Sequence, residues 1–283
     1  MTESTVGSAL QAVRQALRSK GPSAGSEAQL LVAEAAGRTR TWVVSHPEAA
    51  LLPEQQHNLD HSVARYLGGQ PLPYVLGWWE FYGRRFLVTP DVLIPRPETE
   101  GVIERGLEYM RGRSRSARIL DIGTGSGCLA ITLAAEFERA VVLASDLSHA
   151  ALRVAARNAD EHRVRDRVEF VLADLVPPLR TSVDLLVANL PYVPRFRLAD
   201  LEVTRAEPRL ALDGGRQGLD LILRLFERLP GILKPGGRAI LEIDLSQAGT
   251  LRRSLPRRFA SWKVAITADL AGRERYVTLD RPG

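Results

Sequence analysis

Seven short apolar runs between Ala117 and Asp280 constrain this chain more than any other feature: ARILDIG (117–123), AVVLASD (140–146), VEFVLAD (168–174), VDLLVAN (183–189), GRAILEI (237–243), WKVAITA (262–268) and RYVTLD (275–280). Near-continuous apolar strands separated by helical stretches must be buried on both faces, which is the condition of a mostly parallel sheet with helices above and below. The connector from Asp269 to Glu274 is too short for a parallel crossover, which needs a dozen or more residues, so the last two strands are expected to form an antiparallel hairpin. The expected fold class is α/β, Rossmann-like, with a seven-stranded sheet whose last strand runs antiparallel.

The rest of the chain reads differently. Up to about Leu67 apolar residues recur at helical spacing, as in Ala9, Leu10, Val13 and Leu17, then Leu30, Leu31 and Ala35, then Leu59, Val63 and Leu67. Pro22, Pro47 and Pro53 punctuate them, and Gly68-Gly69 closes the region. From Pro71 to Pro97 the β-formers Trp78, Trp79, Phe81, Tyr82, Phe86 and Val88 flank Gly83, which predicts two strands about a turn and an aromatic face that packs on something. The expected domains are therefore 1–70, a small helical bundle; 71–97, a β-hairpin linker; and 98–283, the α/β domain. No run approaches the roughly 18 apolar residues of a membrane span, and no cationic leader precedes an apolar stretch, so a cytoplasmic protein without a membrane partner is expected.

With one cysteine, Cys128, an internal disulfide is excluded, and no Cys or His cluster has metal-ligand spacing. His57 and His61 lie a helical turn apart and read as solvated helix residues. The net charge of +5 allows a nucleic-acid or ribonucleoprotein partner without requiring one. The cluster Arg111 to Arg115 reads as a solvated linker.

Chemistry concentrates at strand ends. Gly123, Gly125 and Gly127 form a turn between the first strand of the sheet and an apolar helix, where a backbone can approach a nucleotide cofactor closely. The dinucleotide fingerprint would place Gly or Ala where Cys128 stands, which counts against a nicotinamide cofactor. Asp146, ending the second strand, is placed to accept from both ribose hydroxyls of an adenosyl group, with Ser148 free to cap the next helix. Asp174 has the position of an adenine border. Asp121 either supports the glycine turn or faces the charged end of the cofactor. Asn189-Leu190-Pro191-Tyr192 follows the fourth strand. An Asn carbonyl and the next backbone carbonyl can hold the two hydrogens of a planar amide or exocyclic amine while an aromatic ring covers the group. That reading points to methylation of a planar nitrogen. S-adenosylmethionine carries an activated methyl on a positively charged sulfur, so such a site needs alignment more than a general base, and the chain offers no nucleophile–base arrangement. Seven strands with a reversed last one is the arrangement of the class I methyltransferase fold. Ile94-Pro95-Arg96-Pro97-Glu98-Thr99-Glu100 reads as a rigid helix entry that explains every residue but Arg96.

Taken in order, FLVTPDVLIPRPETE, DIGTGSGCLAITLA, Asp146, NLPY, EPRLALDGGRQGLDLI and GRERYVTL resemble the release-factor protein-glutamine methyltransferase family (PrmC/HemK), from the hairpin to the C-terminus. The resemblance implies S-adenosylmethionine as cofactor and methylation of the side-chain amide nitrogen of the glutamine in the Gly-Gly-Gln motif of bacterial class 1 peptide-chain release factors. Direct nucleic-acid binding is then not required. It implies cofactor binding by Gly123, Thr124, Gly125, Ser126, Gly127, Asp146 and Asn189, substrate binding by Asn189, Leu190, Pro191 and Tyr192, and catalytic roles for Asn189 and Tyr192, with no metal. The N-terminal helices and the aromatic hairpin are expected to recognise the protein substrate, since the sheet domain already accounts for cofactor and chemistry. Leu190 departs from the family's usual proline, and Leu175 stands where some members have an aromatic residue. NLPY is equally similar to the motif of ribosomal RNA adenine methyltransferases, the alternative reading, but those lack the PRPETE and EPRLAL segments. A non-catalytic protein on this fold would be expected to lose Asn189 or Tyr192.

Overall fold

A computed structural model describes residues 4–111, 116–179 and 181–283, with the side chains at 202 and 203 left aside. Positions 112–115 of the arginine cluster lie outside the described residues. The chain divides into two compact units, residues 1–78 and 79–283.

The first unit is helical. Helix α1 (Val6–Ala16) opens on a reciprocal cap, with Thr5 Oγ1 accepting from Ser8 N and Ser8 Oγ accepting from Thr5 N. Its i, i+3, i+7 stripe Val6, Ala9 and Val13 is buried, followed by Leu17. Helices α2 (Ala24–Ala36), α3 (Arg40–Ser45) and α4 (Pro53–Leu67) follow; α4 starts with proline, where a missing N–H costs nothing. Leu59 is fully buried, whereas Leu67, expected on the same face, is 44% exposed because it ends α4. His57 and His61 are exposed.

The segment expected to begin a hairpin at Pro71 instead forms a fifth helix, α5 (Leu72–Leu76), all of it buried and closed by Gly77. Pro71 and Pro73 fall at its cap and first turn, where they suit a helix start. The aromatic content downstream gave the stretch its strand character in sequence. The hairpin proper is β1 (Trp78–Phe81) and β2 (Arg84–Leu87), joined by Tyr82 and Gly83, both at positive φ as a type I′ turn demands.

In the larger unit, Phe81 and Phe86 meet edge to face at 6.1 Å and enter the core under helices α6 (Glu100–Met110) and α7 (Cys128–Glu136). The hairpin is tied down by Asn158 of α8 (His149–Glu161), whose Oδ1 accepts from Leu87 N at 2.7 Å. The Asn158 Nδ2 group donates to Leu87 O at 3.0 Å and Ser126 O at 2.8 Å.

The seven expected strands are β3 (Arg118–Ile122), β4 (Val141–Asp146), β5 (Val168–Leu172), β6 (Val183–Ala188), β7 (Leu233–Glu242), β8 (Lys263–Ala268) and β9 (Glu274–Asp280). They stand in the order β5-β4-β3-β6-β7-β9-β8. The pairs from β5 to β7 are parallel, and β9 is antiparallel to both β7 and β8. This is the class I methyltransferase topology.

Side chains alternate across the sheet: Ile119 joins the core beneath α6 to α8. Leu120 and Ile122 join the opposite core with α9 (Asp220–Ile232) and α10 (Leu245–Arg258). The chain order reverses between β3 and β6, and ligands in such sheets bind beyond the carboxyl ends of the strands at that crevice. Among the described residues no helix is long and apolar enough to cross a membrane.

Asn158→Ala should leave three backbone groups without their partner and cost roughly 1–3 kcal/mol of stability. Urea denaturation checks this, and an unchanged midpoint would show that the hairpin does not depend on that amide.

Candidate functional site

The register of the sheet assembles the site. Ile122 pairs with Ser145 and with Ala188, and Ala188 pairs with Leu241. The next residue on each strand path is therefore Asp146, Gly123, Asn189 and Glu242, a row across the carboxyl edge of four adjacent strands. Gly123, Thr124, Gly125, Ser126, Asp146, Asp174, Asn189, Leu190 and Pro191 all line one cleft there, as do Arg96 and Thr99. Tyr192 does not line it: its hydroxyl turns to Glu242, 3.1 Å away.

Glycines 123, 125 and 127 all have positive φ. At Gly125 an added Cβ would meet nothing within 4 Å, so the backbone there faces open cleft. This is the cradle a closely approaching nucleotide cofactor needs, and the residues present fit one.

Asp121 is completely buried beneath the turn. Its Oδ2 accepts from Thr124 Oγ1 at 2.7 Å and from Ala130 N at 3.2 Å, an amide in the first turn of α7. Of the two roles open to it in sequence, the observed contacts are those of turn support. Its second oxygen has no hydrogen-bond partner among the described residues.

Ser148 caps α8, accepting from Ala151 N at 3.1 Å, as expected. The Asp146 carboxylate is nevertheless not idle: Oδ2 accepts from Gly125 N at 2.9 Å and Oδ1 from Ser148 N at 2.8 Å. Each oxygen retains acceptor capacity. Asp174 at the cleft border is exposed and pairs with Arg224 at 2.7 Å.

The network around Asn189 runs deeper than sequence reasoning reached. Its Nδ2 donates to Thr99 Oγ1 at 2.9 Å, and Thr99 Oγ1 donates to Glu242 Oε2 at 2.7 Å. The Tyr192 carbonyl accepts from Gln247 Nε2 at 3.1 Å, and the same amide group reaches Gly218 O at 2.6 Å. Arg96, unexplained in sequence, pairs at 2.5 Å with the buried Glu207 of the EPRLAL segment, which also accepts from Ile94 N at 3.1 Å.

Burial pushes Glu242 and Asp146 above the usual carboxylate range, and it pushes up the Tyr192 hydroxyl, next to which the Glu242 charge acts in the same direction. Thr99, Glu207, Glu242 and Gln247 were missed as site residues. The available signal was the carboxylate of Glu242 set between the apolar Ala239–Leu241 run and Ile243.

Similarity to known proteins agrees with this geometry. Residues 8–77 match the PrmC N-terminal domain and residues 107–210 the methyltransferase small domain. Release factor glutamine methyltransferases of Koribacter versatilis and Deinococcus radiodurans are 40% and 37% identical to the chain. The first alignment covers 92% of each chain, the second 96% of this one and 97% of its relative. The chain belongs to the release factor glutamine methyltransferase family.

Its fold is that of S-adenosylmethionine-dependent methyltransferases. A ribosomal protein L11 methylase from Lactobacillus delbrueckii superposes with a TM-score of 0.51 at 22% identity, covering 69% of this chain and 84% of its own. A methyltransferase from Pyrococcus furiosus gives 0.51 at 15% identity, over 82% and 100%. These two establish the fold alone. The sequence relatives favour the release-factor reading over the ribosomal RNA one.

Burial holds the Asp121 carboxyl up at about 7. The unfolded chain releases that proton near the ordinary value of about 4, so between about 4 and 7 the folded state binds more protons. The Asp121 contribution to stability is therefore full below that window and is lost as pH rises through it. The melting temperature should fall more steeply from about pH 4 to 7 for the wild type than for Asp121→Asn; parallel curves would remove Asp121 as the cause.

Proposed function

We propose that this protein methylates the side-chain amide nitrogen of the glutamine in the Gly-Gly-Gln motif of bacterial class 1 release factors, with S-adenosylmethionine as methyl donor, in the cytoplasm. The observation that carries the mechanism is the Asn189 amide. Its Nδ2 is engaged by Thr99, so its Oδ1 is the end left to accept.

Oδ1 and the Leu190 backbone carbonyl would take the two hydrogens of the acceptor amide. Holding both N–H groups while the nitrogen turns tetrahedral frees the lone pair that amide resonance otherwise withholds, so the contribution is orientation. Tyr192 is held beside the cleft by Glu242 at its hydroxyl and by Gln247 at its carbonyl, so covering the planar group would require its ring to turn from Glu242 towards the acceptor. Gly123 to Gly127 and Asp146 would hold the cofactor, the carboxylate taking the ribose hydroxyls through its spare lone pairs. The cofactor supplies a methyl already activated on a cationic sulfur. The residues of the helical unit, 1–78, would recognise the release factor, since the larger unit accounts for cofactor and chemistry.

Mass spectrometry of purified release factor after incubation with enzyme and S-adenosylmethionine should show one added methyl on that glutamine. An unmodified glutamine alongside methylated RNA would sink the reading. Asp146→Ala should weaken the cofactor by roughly 1–3 kcal/mol in calorimetry, through loss of a charged acceptor; equal affinity would take Asp146 out of the site.

Asn189→Ala should lower single-turnover methylation at saturating cofactor by on the order of a hundredfold. A wild-type rate would show that no amide clamp operates. A chain beginning at Trp79 should bind cofactor yet methylate release factor poorly, and full activity from it, folded, would refute the recognition role of the helices.

A further inference from the structure

The Thr99 hydroxyl has one proton and two partners, Glu242 Oε2 at 2.7 Å and the Asn189 amide at 2.9 Å. An ionised carboxylate only accepts. Beside it, the Thr99 proton is committed to Oε2, and the Thr99 oxygen can only accept from Asn189. The other carboxylate oxygen is taken by the Tyr192 hydroxyl. Thr99 and Glu242 are 2% and 1% exposed, so water cannot offer the chain a substitute partner.

Put a proton on Glu242 Oε2 and the direction can reverse. The acid donates to Thr99, Thr99 donates to Asn189, and the asparagine turns its carbonyl to Thr99 and its NH2 into the cleft. An amide acceptor there would meet a donor where it needs an acceptor.

We propose that Glu242, acting through Thr99, is a positioning residue for the methyl acceptor: its ionised carboxylate sets the direction of a buried hydrogen-bond chain and so makes Asn189 present its carbonyl oxygen. The inference rests on the reading of Asn189 as the clamp of the acceptor amide. Glu242 itself does not touch the acceptor. Burial raises its pKa and the Glu98 charge adds to that, while the Thr99 and Tyr192 hydroxyls and the Arg275 guanidinium pull it down. Protonation as pH falls through that raised value therefore switches the clamp off, and the acid limb of methylation lies above the range of an ordinary glutamate.

The test is single-turnover methylation of intact class 1 release factor at saturating S-adenosylmethionine, with cofactor affinity followed by calorimetry. Thr99→Val should slow transfer by about tenfold or more at unchanged cofactor affinity, because orientation of the acceptor is lost. Thr99→Ser, which keeps the hydroxyl, should recover most of the rate.

If Thr99 acts through Asn189, adding Thr99→Val to Asn189→Ala should cost less than about twofold more, the non-additivity of coupled neighbours. Glu242→Gln can offer Thr99 an NH2 and has no Glu242 carboxylate to titrate, so it should be slower and its acid limb should move away from that of the wild type, leaving only what Asp121 and Asp146 contribute.

The proposal is overturned if Thr99→Val costs the same factor with and without Asn189. Should that variant not fold, an acid limb unchanged in Glu242→Gln overturns it equally. Wild-type enzyme that leaves the release factor unmethylated would instead strike the substrate reading, which the wild-type arm shows by itself.

Discussion

Parallel pairing of β3 with β6, at the point where the strand order reverses, is the constraint on which the remaining structure hangs. Ile122 lies opposite Ala188, so the glycine turn and Asn189 leave the sheet side by side. On the far side of β3, the Ile122–Ser145 pair delivers Asp146 to Gly125. On the far side of β6, the Ala188–Leu241 pair delivers Glu242 to the Asn189 network. A slip of one residue in any of these pairings would send the terminal side chain to the opposite face. The two core clusters on either face specify the register, since each strand must keep its alternate apolar residues on its own side. Packing thus fixes the spacing of groups that never contact the core.

Three carboxylates crowd this edge, Asp121, Asp146 and Glu242, and burial raises the pKa of each. Buried acids are costly, and their retention is better explained by what an acceptor-only group does to its neighbours than by any gain in stability. Asp121 takes an orphan amide in the first turn of α7, where Gly127 offers no side-chain cap. Asp146 fixes the turn through Gly125 N and the start of α8 through Ser148 N. Glu242 takes two hydroxyl protons at once. At the Thr124, Thr99 and Tyr192 hydroxyls an ionised carboxylate leaves only the donor role open, whereas the backbone N–H groups that Asp121 and Asp146 accept from would donate to any acceptor, and there the carboxylate contributes the acceptor itself.

How much of this could be read from the sequence follows from the range of the interactions. All seven strands of the large sheet, the glycine turn, the I′ hairpin and the Ser148 cap depend on residues within a few positions of one another, and periodicity or turn chemistry reveals them. Helix α5 was hidden because the aromatic β-formers that follow it drew the whole stretch from Pro71 into the expected hairpin. The hydrogen-bond chain was hidden for another reason: Thr99 is 90 residues from Asn189 and 143 from Glu242. The PRPETE segment was legible as a helix entry, and its turn at Pro97–Thr99 does precede α6. That Thr99 is buried against a strand end, and that Arg96 and Ile94 N reach Glu207, depends on the closed fold alone.

Leu190 shows how the two halves of the site are joined physically. It is 3% exposed, and its Cδ2 lies 3.2 Å from where a Cβ on Gly123 would stand, so the residue between Asn189 and Pro191 fills the space above the glycine turn. On its other side the motif is pressed by the DGGRQGLD loop: a Cβ on Gly214 would come within 2.6 Å of the Pro191 carbonyl and 2.7 Å of Tyr192 Cα. The motif is therefore sandwiched between two glycine-bearing loops, and its backbone carbonyls are set by what those loops lack. Cofactor turn, acceptor motif and the loop behind it then respond to one another by contact. A side chain added at Gly214 would displace the acceptor motif directly, and one added at Gly123 would push on it through Leu190.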